Sequence, residues 1–256
     1  MAAVEPSVVE IMSTASGQEA IGSGDILTAA GYIVTKDHVV DGYTSYTVAP
    51  ANGTTLAAKL VGTDPQDDLA VIKVTATNLK PISCADSSTL QVGAFAVAIC
   101  TPYGQRETAT FGTVSGLNRT ESESPDGPAA LLTGLVQTSA PIAPGTSGGA
   151  LVNMHGQLIG IPTLGATSQQ TQASASSTTA VGFAIPSNEV KTIAQQLIQT
   201  SHVTSNGRGL LGIQAGRDTA GRPRRHPQRA ERRRDLQIRQ RRGRAESRPG
   251  GRTPGW

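Results

Sequence analysis

Aromatic residues are nearly missing from this 256-residue chain: one Trp, four Tyr and three Phe make up 3% of it. Charged residues are also few, at 16%. No heptads and no internal repeats are present, so a coiled coil or a repeat array is excluded. Cysteine occurs only at Cys84 and Cys100, without metal-type spacing and far short of a disulfide framework. The two read either as a disulfide between strands or as separate buried thiols acting as small hydrophobes. There is no run of about 18 apolar residues to span a bilayer, and no basic segment followed by an apolar core to serve as a signal peptide. Met1-Ala2-Ala3-Val4-Glu5 leads almost straight into a strand-like stretch, which fits an export signal or membrane anchor having been removed.

What the chain does have is Gly, Ser, Thr, Val and Ala, a balance that favours a β-rich fold with many turns. Its charge is unevenly distributed. Residues 1–215 carry 8 Lys+Arg against 15 Asp+Glu, whereas residues 216–256 carry 14 Arg against 4 acids. The overall +3 therefore describes neither part.

Short apolar and β-branched runs alternate with turn residues through most of the sequence. Ile26-Leu27-Thr28, Tyr32 to Thr35, Tyr46 to Ala49, Leu56 to Val61 and Leu69 to Val74 form a first series, with turns at Ala30-Gly31, Ala51-Asn52-Gly53 and Asp64-Pro65. A second series runs from Gly93 to Ile99, then Thr108 to Val114, Ala130 to Val136, Ala150 to Asn153, Gln157 to Thr163 and Gly182 to Ile185. Strands this closely spaced predict barrels or sandwiches, here as two β-units in tandem. One helix is predicted from Pro186-Ser187-Asn188 to about Ser201, with Val190, Ile193, Ala194 and Leu197 at helical spacing and Ser187 or Asn188 as cap. Residues 121–126 and the Ser/Thr/Gln/Ala-rich stretch 166–179 read as mobile surface loops.

Chemistry concentrates at Pro144-Gly145-Thr146-Ser147-Gly148-Gly149. A serine attacks a carbonyl efficiently when it stands exposed on a tight turn whose backbone amides converge on the developing oxyanion, and glycines permit that turn. The donors would be the amides of Gly145 and Ser147. The same residues also fit a plain glycine-serine hairpin turn, so a base and an orienting carboxylate must be sought elsewhere. Of the four histidines, only His38 follows a strand-like run and has apolar neighbours, Val39 and Val40, to hold its ring. It also fits a structural histidine. His155 reads as a turn residue; His202 and His226 read as surface residues. Asp68 opens the apolar run Leu69-Ala70-Val71-Ile72 and could accept the Nδ1–H of a histidine. Asp67 competes with it, strand alternation placing the two on opposite faces, and both also fit solvated turn carboxylates.

The order His38, Asp68, Ser147 is that of chymotrypsin-like triads. Gly22-Ser23-Gly24, Gly31-Tyr32-Ile33-Val34-Thr35 with His38-Val39-Val40, Gly62-Thr63-Asp64 with Asp68-Leu69-Ala70-Val71, Asp86-Ser87-Ser88, Gly112-Thr113-Val114-Ser115 and Gly182-Phe183-Ala184-Ile185-Pro186 resemble the HtrA/Deg family of exported bacterial proteases over about residues 4–214. The resemblance selects Asp68 over Asp67. It implies an all-β fold of two six-stranded antiparallel barrels with a C-terminal helix, residues 1–91 and 92–201, with His38 and Asp68 on the first barrel and Ser147 on the second. It also implies an oxyanion hole from Gly145 and Ser147, polypeptide substrates, no metal or organic cofactor, a cell-envelope or secreted location, and homotrimers as often found in the family. Departures lie at Ala143, Thr146, Ser139 and Cys100, in loops beside the triad. Pro141 stands where an acid would select basic side chains, so a small or medium apolar residue is the expected preference.

Residues 202–215 resemble the start of a PDZ region, in Gly209-Leu210-Leu211-Gly212-Ile213, which then breaks off. From 216 to 256 the Arg-rich tail has too few apolar residues to fold. It reads as a disordered end or out-of-frame translation, or else as an arm for nucleic acid or anionic lipid. Sequence reasoning thus expects a serine endopeptidase acting on unfolded or exported proteins through an acyl-enzyme. The alternative is a catalytically weak, chaperone-like module that binds such chains in the same cleft.

Overall fold

A computed structural model of the chain describes residues 3–50, 53–101, 108–122, 131–142, 147–166 and 181–206. The chain separates into Met1–Gly207 and Arg208–Trp256, and all described residues belong to the first unit. The Arg-rich tail, most of both long loops and Gly145 lie outside the described residues.

Among the described residues, twelve strands form two closed antiparallel barrels. The first contains β1 (Val8–Ala15), β2 (Gln18–Ile26), β3 (Tyr32–Thr35), β4 (Ser45–Pro50), β5 (Leu56–Asp64) and β6 (Leu69–Val74), in the order β1-β2-β3-β6-β5-β4. The second contains β7 (Phe95–Cys100), β8 (Thr108–Ser122), β9 (Leu131–Thr138), β10 (Ala150–Val152), β11 (Leu158–Ala166) and β12 (Val181–Pro186), in the order β10-β11-β12-β9-β8-β7. A short helix α1 (Asp37–Val40) follows β3, and α2 (Ser187–Thr200) follows β12. The expected all-β architecture with a C-terminal helix is what the chain adopts. β8 runs on through Glu121 and Ser122, two residues read from sequence as loop.

Small and branched side chains fill both barrels, as the scarcity of rings requires. Val9, Ile11, Ile26, Ile33, Val48 and Ile72 meet inside the first. Ala96, Ala98, Val114, Val136, Leu151, Ile159 and Ala184 meet inside the second. β6 is apolar on both faces because both are covered: Ala70, Ile72 and Val74 point into the first barrel, while Leu69 and Val71 join a cluster with Val190, Ile193 and Leu197 of α2 and with Leu132, Leu135 and Ile161 of the second barrel. Each such side chain, fully buried, contributes about 1.5–3 kcal/mol. The helix therefore ties β6, with the turn that precedes it, to the second barrel.

Two local expectations are corrected. Neither Ser187 nor Asn188 caps α2, whose N-cap is Pro186 with no side-chain hydrogen bond. The Ser187 hydroxyl instead donates to the Ala85 carbonyl at 2.8 Å, and the Asn188 amide donates to Asp86 at 2.7 Å. Cys84 and Cys100 form no disulfide, and only Cys100 is buried. Beyond α2, the Gln196 carboxamide accepts hydrogen bonds from the backbone of Thr204 and Ser205, folding residues 202–206 back on the helix.

Candidate active site

His38 owes its position to its neighbours. β3 ends at Thr35, and the single turn of α1 is pinned by Val39 and Val40, both buried in the first barrel. That leaves the His38 side chain 44% exposed. β3 pairs with β6, Thr35 opposite Ala70, so the residues just after β3 and those just before β6 share one end of the barrel. Asp68 reaches across that end. Its Oδ1 accepts the backbone N–H of His38 at 3.0 Å, and its Oδ2 lies 2.8 Å from His38 Nδ1.

Asp68 does this from a left-handed backbone conformation, φ +46°. Such a conformation costs an L-residue about 1–2 kcal/mol, least for Asn and Asp. The two hydrogen bonds to His38 hold it there. Asp67 and Asp68 are not split by strand alternation as expected, because both lie in the turn before β6. Asp67 is fully buried, and its Oδ2 accepts a hydrogen bond from the Asn206 side chain at 3.1 Å.

Ser147 comes from the second barrel, on the turn before β10. Its carbonyl accepts the N–H of Ser23 on β2 at 3.0 Å. Gly148, at φ +85°, seats so closely that a Cβ would lie 2.3 Å from the Ser23 carbonyl oxygen and 2.8 Å from Thr35 Oγ1. The turn bearing Ser147 is thereby pressed against the residues that lead into His38. Sequence reasoning asks for an exposed serine; Ser147 is only 7% exposed. His155 and His202 are exposed, as expected, and His226 lies outside the described residues.

Two residues that sequence reading passed over belong to the site. Lys36, completely buried, places Nζ 2.8 Å from Asp68 Oδ2. Asp37, also buried, is pushed up to about 6, first by burial and then by the charges of Asp68 and Asp41, against a hydrogen bond from Thr63 and the proximity of His38. Both stand in the same word as His38, where a charged pair beside a turn reads as solvated surface.

Residues 22–161, which include His38, Asp68 and Ser147, match the family described as a trypsin-like peptidase domain. The chain is 40% identical over 203 residues to the periplasmic serine endoprotease DegP of Escherichia coli, covering 78% of this chain and 40% of that one. The solved HtrA-type protease AlgW with a tripeptide superposes with a TM-score of 0.68 at 34% identity, covering 79% of this chain and 63% of that one. This chain belongs to the trypsin-like peptidase family, in its HtrA/Deg branch. The HtrA/Deg-type chain is also similar to the serine protease PepD of Mycobacterium tuberculosis, at 40% identity over 232 residues, 85% of this chain and 49% of PepD. A solved serine endoprotease from Yersinia pestis superposes with a TM-score of 0.66 at 35% identity, covering 79% of this chain and 66% of that one. The chain thus spans less than half the length of these curated relatives.

Proposed function

We propose that this HtrA/Deg-type chain is a serine endopeptidase in which Ser147 is the nucleophile, His38 the general base and Asp68 the residue that orients His38. The observation that carries this reading is the two-point grip of Asp68 on His38, through the backbone N–H and through Nδ1, at the end of the barrel where the Ser147 turn is seated. With Nδ1 engaged by Asp68, the other ring nitrogen is the one left to take the Ser147 proton as the hydroxyl attacks a peptide carbonyl. The carboxylate stabilises the imidazolium that forms. His38 then passes the proton to the leaving amine, and water releases the acyl group by the same route in reverse. The amides of Gly145 and Ser147 are the proposed oxyanion donors, each worth about 3 kcal/mol in a working enzyme.

Polypeptides are the proposed substrates, cleaved after small or medium apolar residues rather than Lys or Arg, because Pro141 offers no charge to a basic side chain. Because relatives such as DegP are named periplasmic, a cell-envelope location is proposed. Labelling with a serine-directed phosphonate followed by peptide mass spectrometry tests the assignment. Label on Ser147 together with casein cleavage, both lost in S147A, is the expected result. Wild-type protein that neither takes up label nor cleaves casein would reject the protease reading and leave the chaperone-like one.

A further inference from the structure

Lys36 has the bulkiest side chain among the fully buried described residues, and it is a cation. Burying an ammonium group costs several kcal/mol unless a counter-charge meets it at close range. Here that counter-charge is Asp68, and the atom it meets is Oδ2, the same oxygen that faces His38 Nδ1, each nitrogen at 2.8 Å. Asp68 therefore has one oxygen turned to the His38 backbone and the other shared between the Lys36 ammonium and the His38 ring.

This sharing has two physical consequences. The ion pair fixes the rotation of the Asp68 carboxylate, which its left-handed backbone alone would not do. It also draws on the charge that would otherwise serve the imidazole alone, and a positive neighbour disfavours a second positive charge beside it. Asp37 and Asp41 on the α1 side, Asp64 at the end of β5 and Asp67 in the turn before β6 are the acidic residues on the elements that carry this cluster, and a negative charge there acts in the opposite sense.

We infer that Lys36 is a positioning residue that acts through Asp68, orienting its carboxylate and taking up part of the negative charge that faces His38, so that its ammonium sets where the acid limb of the pH–rate profile falls. The inference rests on the triad assignment proposed above. It is specific to the ammonium charge, so it separates a uniform loss of activity from a displaced pH profile.

The test is kcat/KM against pH, from about pH 5 to 9, on an apolar-residue peptide for wild type, Lys36→Met, Lys36→Asn and Lys36→Arg, with phosphonate labelling of Ser147 run in parallel. The acid limb of kcat/KM reports the free enzyme's essential base. Lys36→Met and Lys36→Asn should each move that limb up by about 1 pH unit, with kcat at the plateau lowered less than about tenfold and KM little changed. Lys36→Arg, which keeps the charge, should hold the limb near its wild-type position. Near-UV circular dichroism establishes which variants fold, and Asn, smaller and polar, carries the test if Met does not. Labelled, folded variants whose acid limb coincides with wild type, or moves down, would overturn the inference. Wild type that takes no label would instead bring down the triad assignment and this inference with it.

Discussion

The backbone N–H of Ser23 donates to the carbonyl of Ser147 at 3.0 Å, joining β2 of the first barrel to the serine-bearing turn of the second. Gly148 extends this contact by placing its Cα where a side chain has no room. Its φ of +85° is a conformation that glycine adopts freely, and an added Cβ would collide with the Ser23 carbonyl, a backbone atom that cannot swing aside. Gly148→Ala is expected to cost about 1–2 kcal/mol in backbone strain alone. It should also push Ser147 away from the segment Thr35-Lys36-Asp37-His38. A displacement on the order of 1 Å costs about 100-fold in rate. Phosphonate labelling rates compared with thermal midpoints check this: labelling should fall about 100-fold or more while a folded, lower-melting protein persists.

Asp68→Asn keeps the shape of the side chain and tolerates the left-handed backbone, but removes the charge. Two losses are then expected. The imidazolium is no longer stabilised and the ring tautomer is no longer selected, which lowers kcat by about 10⁴. Lys36, fully buried, loses the Asp68 counter-charge, an effect worth up to about 3–5 kcal/mol of stability when a buried pair is broken. Denaturant unfolding should therefore show a large destabilisation in Asp68→Asn and a much smaller one in the double variant with Lys36→Met. Equal destabilisation in both would mean that the ion pair carries no such weight.

Lys36 and Asp37 precede His38 and carry opposite charges, so their removal should have opposite effects. Burial and the nearby carboxylates raise Asp37 to about 6, so its negative charge develops as pH rises through that value. Once formed, the charge favours a protonated imidazole. Asp37→Asn should move the acid limb of kcat/KM to lower pH, by a few tenths to about 1 unit. A profile that moves to higher pH would show that Asp37 acts mainly through the shape of α1.

The barrels were legible where β-branched runs alternate with turn residues, as in Tyr32 to Thr35 and Leu69 to Val74. β1 and β2 were not individually legible. Gly22-Ser23-Gly24 punctuates the run as a turn would, yet both glycines lie inside β2 because Val39 and Ile11 occupy the space their side chains would take, each coming within 2.6 Å of an added Cβ. That is a tertiary constraint invisible to local pattern. Ser147 and His38 stood out by their settings, whereas Asp68 was chosen by resemblance. Its hold on His38 depends on the β3–β6 pairing and on a left-handed turn, neither of which spacing reveals. Lys36 was missed because a lysine beside an aspartate reads as surface until the carboxylate that buries it, 32 positions along the chain, is in place.

Asp25 offers a test of the fold that leaves the proposed triad untouched. It sits in β2 opposite Val8 of β1 and Val34 of β3, completely buried, and neither of its oxygens has a hydrogen-bond partner among the described residues. Burial raises its carboxyl well above the ordinary 3.8. The folded state therefore holds this proton more tightly than the unfolded chain does. The stability linked to that proton is fully present below about pH 4 and is lost as pH rises through the raised folded value. Above that range, a charge without a hydrogen-bond partner among the described residues must be carried in a fully buried position. Asp25→Val fills a similar volume with no polar atom, so it is expected to stabilise the protein by about 1–3 kcal/mol at pH 7, the usual cost of a buried polar group left unpaired. The gain should shrink as pH falls below about 4, where the wild-type acid becomes neutral in both states. Urea unfolding of the two proteins at several pH values measures this directly, and a variant no more stable than wild type at pH 7 would show that Asp25 is compensated within its site.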